Sequence, residues 1–566
     1  AGLTLNNEDL QLLADNGILI DAPVDAGTGS IVLDAGDGIE ITGLGALRGD
    51  GLTLSARTDI LQNGDLQSRG GGDIRLTSLE GGILMGLDAE TRSESGDVVY
   101  TAAGDIGVTF IGSSDSGNLI LEAGGRIFDT HAVNGLNFAT GGQTSLSAQT
   151  GIGAIGDGDL KTEVATLRLR NLGATGDMVI TQRTGALTVL EVTQSATDDW
   201  VILNHEDGNT LFTGPVLLEG QGSLRVAGDG DLTFNSTLTL NGGLITLSAA
   251  GDLRLEADVS TLDADVALSA GGSIIQLPDI TVNAGGGNVL LDAGDAIVLA
   301  QILSLGGRVR IFSLSGSILR AANDGRSNVI AEALQLHAGL AIAALNLESA
   351  ALITEVSELN AFAGQGPIAL RNLGDLRIGD STVEVAFALD TRLTESDTWT
   401  EHQFRTDLGS AVLRVEGGLT LETITPDSLP TLQTNGLTRI HVTGAADLQG
   451  DSLVTGGPLH LQTLGLLNLA GDLAVSGGTL LLESAADLTQ QVNSRISVDN
   501  ANALLQSGGL LQVNEILTGT GALALTAAGN LLRPVGAPAT QLQSALLRLQ
   551  AGGAIAGTAQ PLVFST

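Results

Sequence analysis

The feature that most constrains this chain is a short apolar strand closed by a small glycine turn, repeated at intervals of about 22 residues. Gly243–Leu299 shows it best, in the run GLITLSAAGDLRLEADVSTLDADVALSAGGSIIQLPDITVNAGGGNVLLDAGDAIVL. Leu247 in LITLSAAG returns as Leu268 in VALSAGG and again near Leu290 in NVLLDAG. Within each pass apolar residues alternate, as at Ile245, Leu247 and Ala249, which places them on one face of a strand. No single pass has enough apolar surface for a core of its own. Stacked on its neighbours it does, because its backbone donors and acceptors pair with the coil above and the coil below. The expected fold is therefore all-β, a parallel β-helix or β-solenoid of about 25 rungs.

The turn signature is a small residue, then glycine, then Asp, Gly, Asn or Ser, then an aliphatic residue. It occurs as AGDGI (35–39), AAGDI (102–106), AGGRI (123–127), AAGDL (249–253), AGGSI (270–274), AGDAI (293–297), LAGDL (469–473), AAGNL (527–531) and AGGAI (551–555). Glycine takes positive φ without a steric penalty, and Asp or Asn bonds its own turn backbone. A longer repeat of about 190 residues lies over the short one, with Leu167, Leu359 and Leu547 at matching places. The run EALQLHAGLAIAALNLESAAL (332–352) has a helix-like composition, but its place in that repeat reads as two more rungs.

Two polar, glycine-poor segments break the rhythm. They are 193–215 and 388–409, and they hold the two tryptophans, Trp200 and Trp399. The implied organisation is three solenoid modules, 1–192, 216–387 and 410–566, with irregular excursions between them at equivalent places. Tryptophan among acids and amides, in DDW–NHEDGN and TWTEHQF, makes Trp200, His205, Trp399 and Phe404 the candidate partner-binding residues. Such groups stack on a sugar ring or dock a protein. The competing reading is that each tryptophan seals a side loop.

Composition narrows the function classes. Glycine makes up 79 of 566 residues and apolar residues 43%, so the chain is not a disordered low-complexity polymer. The net charge is −39, and Lys161 is the only lysine. No basic stripe is available for phosphate recognition, which argues against nucleic acid. No apolar run reaches membrane-spanning length. With no cysteine there is no thiolate site. His131, His205, His337, His402, His441 and His460 are scattered without metal-ligand spacing. Acidic groups occur at Asp157 and Asp159, at Asp229 and Asp231, and at Asp198, Asp199, Glu206 and Asp207. They read as turn formers, with calcium as the alternative and no cofactor expected. Aromatics are only 2% of residues and show no row at rung spacing, which argues against a polysaccharide-active enzyme.

The strings GGGNVLLDAGDAI, GGLITLSAAGDLRLEA and GALALTAAGNLL resemble the repeats of large secreted bacterial exoproteins of the filamentous-haemagglutinin type. The resemblance covers nearly the whole chain and lies in repeat style. It implies a right-handed parallel β-helix, secreted to or held at the bacterial cell surface, serving in adhesion, biofilm matrix or filament building. The expectation is a non-enzymatic extracellular rod that self-associates end to end into fibres, with host or bacterial glycans or proteins as further partners. The alternative is a glycan- or protein-binding module built on the tryptophan segments.

Overall fold

The chain folds as a parallel β-solenoid of about 24 turns. The computed structural model describes residues 2–131, 135–156, 158–322, 325–343, 350–424, 430–450, 452–536, 541–556 and 561–565. They form two compact units, Ala1–Gly271 with Ala386–Glu395, and Gly272–Val385 with Ser396–Thr566.

In the first unit one ladder runs through Leu10–Ala14, Ile31–Ala35, Leu52–Ala56, Ile74–Ser78, Val98–Ala102 and Leu119–Ala123, every pair parallel and in register. Period-two alternation turns Ile31, Leu52, Ile74, Val98 and Leu119 inward as one column, and each is 0% exposed. A second inward column is Leu33, Leu54, Leu76, Tyr100 and Leu121. Burying one such leucine contributes about 1.5–3 kcal/mol. The second unit repeats the arrangement through Ala411–Val415, Thr438–Val442, Leu459–Thr463, Leu480–Ser484 and Ala503–Ser507.

Once in each unit two faces of the coil merge across a bulge. The long strands Phe138–Ala148 and Leu160–Asn171 do this in the first unit, and Gln301–Ser313 with Val329–Ala338 in the second. Bridges Ile127–Ile152–Met178 and Ile318–Ile342–Ile368 mark the same place in both. The helix-like run at 332–352 enters the stack as strand, with Val329–Ala338 and Leu352–Glu355 pairing directly; residues 344–349 lie outside the described residues.

The Gly-Asp turn has a role that reaches beyond its own coil. Asp59 Oδ1 accepts from Gly82 N at 2.8 Å, Asp105 from Arg126 N at 3.0 Å, Asp231 from Asp252 N at 2.8 Å, Asp487 from Leu510 N at 2.7 Å and Asn530 from Ala554 N at 2.8 Å. Each bond runs from one coil to the same corner of the next. The glycine is the other half of the device. A Cβ at Gly125 would collide with Asp105 Oδ1, and one at Gly553 with Asn530 Oδ1. At these five corners the glycine, Gly81, Gly125, Gly251, Gly509 or Gly553, leaves room for the previous coil's Asp or Asn side chain.

Two expectations change. Residues 193–215 do not leave the stack. Val201–His205 pairs with Met178–Gln182 and Leu224–Gly228, and Thr210–Phe212 pairs with Leu187–Val189 and Leu232–Phe234. Their acids lie in the turns between ordinary strands, and the strands themselves bury Gln194, His205 and Thr210. Nor are the tryptophans equivalent. Trp200 immediately precedes Val201–His205, the place held by Ser410 before Ala411–Val415. Trp399 lies on a hairpin, Ser381–Ala388 and Thr394–Glu401, which forms its own two-stranded sheet. At that point the first unit has only the continuous strand Leu187–Gln194.

The shared corner predicts a coupled pair. Gly125→Ala should destabilise the coils around it by about 1–3 kcal/mol, and Asp105→Ala by about 1 kcal/mol. The double variant should be less unstable than the sum, because removing the carboxylate opens the space the new methyl needs. Amide exchange at Ile106 and Ile127 measures this, and strict additivity would rule out the steric coupling.

Candidate functional site

The hairpin organises the most distinctive surface in each unit. In the second unit it lies on an outward row of the strands Val289–Ala293, Gln301–Ser313, Val329–Ala338 and Glu358–Ala363, namely Leu290, Arg310, Gln335 and Asn360, which are in register. Side chains of that row and its flank donate to the hairpin's main chain. Gln335 Nε2 donates to Ser381 O at 3.0 Å and Trp399 O at 3.2 Å, Asn360 Nδ2 to Glu401 O at 3.1 Å, Arg308 Nη1 to Thr382 O at 3.0 Å and Asn288 Nδ2 to Glu384 O at 2.8 Å. Main-chain carbonyls are the acceptors, so this grip depends little on hairpin sequence.

Two residues along, the same strands carry Asp292, Phe312, His337 and Phe362 as a second row, continued by Arg405 of the next strand. Ring centroids are 4.7 Å apart for Phe312–His337 and 4.6 Å for His337–Phe362. The Arg310 guanidinium lies 5.5 Å from the Phe312 ring and 5.0 Å from the Trp399 ring, and Arg405 lies 5.8 Å from Phe362. The chain therefore does have aromatics at rung spacing, against the reading of its sequence. The signal was Phe312, His337 and Phe362 at equal intervals, hidden because the middle member is a histidine. Their faces are turned to one another and the ends are met by arginines, so the stack has little ring face left for a sugar.

The four candidate residues are divided between the units. Trp200 is 8% exposed and packs with Val179, Ile202 and Ala388 beside Ile155, while its backbone N–H donates to Asp177 Oδ1 at 2.8 Å. His205 points inward at a coil corner, 3% exposed, with Nδ1 2.7 Å from Thr210 Oγ1, and burial pushes its pKa down. Phe404 is 0% exposed, stacked in the core between Ala361 and Leu432. Trp399, half-buried on the hairpin, is the one of the four that lies outside the coil stack.

Sequence reasoning missed an open groove in the first unit. It encloses about 480 Å³ and is lined by Thr181, Asn204, Ala227 and Ser248 along its floor, by Glu206 and Asp229 at the turns, and by Asp390 of the hairpin. Thr181, Asn204, Ala227 and Ser248 are register partners on successive coils. Arg225 and Asn204 are hydrogen bonded beside it, and Asp390 attracts the Arg225 guanidinium. Hydroxyl, amide and carboxylate groups over small side chains suit a polar ligand. Among the acids singled out in the sequence, Asp231 is a corner cap, Asp159 pairs with Lys161, and Asp157 lies outside the described residues. Among the described residues no three His, Cys, Asp or Glu side chains gather as a metal would require. No helix among them is long and apolar enough to cross a membrane.

His337 gives the aromatic stack a pH signature. Burial chiefly, with Arg310 adding to it and Glu401 opposing, holds its pKa below the ordinary 6.5. The folded state thus binds this proton less readily than the unfolded chain. The stabilisation is complete above about pH 6.5 and is lost as pH falls toward the lowered folded value. Amide protection of Gln301–Ser313 and Val329–Ala338 should fall across that interval, and His337→Phe should flatten the change while keeping the stack.

No protein-family model, no curated protein and no solved structure matches this chain.

Proposed function

We propose that this chain is a non-enzymatic structural shaft of an extracellular bacterial adhesin or fibre of the filamentous-haemagglutinin kind, holding binding regions away from the cell surface. The observation that carries the reading is the continuity of coil upon coil, with backbone ladders and Asp or Asn caps all directed at the next coil. Such an arrangement resists stretching along the stack and has no natural limit to its length. The strongly acidic surface keeps such particles soluble and opposes their non-specific aggregation. An uncovered coil edge, by contrast, is a template for another coil. End-to-end self-association into fibres follows as part of this reading.

A second reading is a glycan-binding role, which the groove of Thr181, Asn204, Ser248, Glu206, Asp229 and Asp390 favours over the buried Trp200. Hydroxyl-rich chains satisfy donors and acceptors of both kinds at once.

Electron micrographs of the purified protein should show thin unbranched particles that lengthen with concentration, with light scattering rising in parallel. Compact particles would overturn the shaft, and a fixed monomer mass at every concentration would overturn the self-association. On a glycan array, Asn204→Ala with Asp390→Asn should abolish any retained signal, and unchanged retention would remove the groove from the second reading.

A further inference from the structure

The tip of the hairpin, Ala386–Glu395, belongs to the first unit. There it closes over apolar side chains of the coil stack. Val179, Trp200 and Ile202 are 3%, 8% and 1% exposed, and the tip residue packed against them is Ala388. Beyond the half-buried Leu389 the tip is in solvent, with Leu393 61% exposed. It is pinned by a few polar contacts. Ala386 N donates to Asp265 Oδ2 at 2.8 Å, and Ala388 N donates to Thr246 Oγ1 at 2.8 Å. Arg392 Nη2 donates to Asp198 O at 2.8 Å and Asp199 Oδ1 at 2.9 Å, and Arg392 Nη1 lies 3.5 Å from Asp177 Oδ2. Arg392 holds this position at φ 60°, a strained backbone for a residue with a side chain. By contrast, the surface beneath is fixed in the parallel ladders, Val179↔Ile202↔Arg225↔Thr246.

A rigid apolar surface is thus closed by a segment whose one fully buried side chain is the Ala388 methyl, with Ala386, Phe387 and Leu389 half-buried, and whose polar hold is two backbone N–H groups and one guanidinium. Segments with so few buried contacts open locally while the rest stays folded. We propose that the tip is an exchangeable strap, and that the Trp200 surface it leaves is taken by the tip of a second copy of this chain. The partner is fixed by complementarity. Asp177, Asp199 and Asp265 call for an arginine and free N–H groups around a small apolar residue, and residues 386–392 of another copy present these at the same spacing. Exchange of an identical element keeps every contact and adds a link between copies. This link is lateral and does not depend on the shaft reading, so micrographs that overturned the shaft would leave it standing.

The absence of native cysteine makes the test clean. Full-length Ile202→Cys and Ala388→Cys chains, distinguishable by mass, are mixed and oxidised. The expected result is a mixed disulfide in excess over either homodimer, with its share rising with concentration. A chain carrying both substitutions reports the closed state as an internal disulfide and shows that the pair is in reach. An internal disulfide there, with no excess of mixed disulfide at any concentration, overturns the proposal. In a Trp399→Phe background, where Trp200 is the only tryptophan, Arg392→Ala should shift emission to the red, and excess of a Trp200→Phe, Trp399→Phe chain that keeps Arg392 should return it toward the blue. Unchanged emission throughout would also overturn it. Both readouts are taken on variants whose ladder amides remain as protected as in the parent chain.

Discussion

The structure rests on a hydrogen bond between successive coils at their corners. An Asp or Asn of one turn accepts the backbone N–H of the equivalent residue in the next, as from Asp105 to Arg126 and from Asp487 to Leu510. At a corner the strand ladder is interrupted, and a backbone donor there would otherwise depend on water. The side chain supplies the acceptor from the coil beside it, so the ladder continues around the bend. The same bond explains the glycine, because the carboxylate occupies the space a Cβ would need at Gly125. Much of the acidic character of the chain is therefore structural, spent on holding coils in register.

Inside the coils the constraint is the period of the strand. Alternation sends every second residue into a column such as Ile31, Leu52, Ile74, Val98 and Leu119, and a slip of one residue would expose the whole set. The column is narrow, which is why leucine, isoleucine, valine and alanine fill it and large rings are few. Tyr100 is the informative exception: its hydroxyl is buried against Gln62 Oε1 at 2.8 Å and Thr91 Oγ1 at 2.6 Å, so a polar group is tolerated only with its partners supplied.

Outside the columns, function has room to vary. The outward rows answer to no packing rule, and there the chain places a polar grip for the hairpin, a closed stack of aromatic and cationic side chains, and an open groove. Each is built from one residue per coil, so each repeats at about 4.8 Å along the stack. Gln335 and Asn360 hold main-chain carbonyls, whereas His337 and Phe362, two residues further along the same strands, spend their faces on each other and on Phe312.

The fold class, the direction of alternation and the corner positions were all legible in the sequence. They depend on local chemistry repeated many times, as in AAGDI at 102–106 and AAGNL at 527–531. That the Asp of such a turn serves the following coil was not legible, since its partner lies some 21 residues away and only stacking brings the two together. Nor was the fate of the aromatic residues. Composition marked Trp200, His205 and Phe404 as available, and the register placed the first under Ala388 and turned the other two inward. A strand residue faces core or solvent according to its parity within the coil. Parity is fixed by where each turn ends, and for polar segments such as 193–215 that was settled by pairing with neighbouring coils.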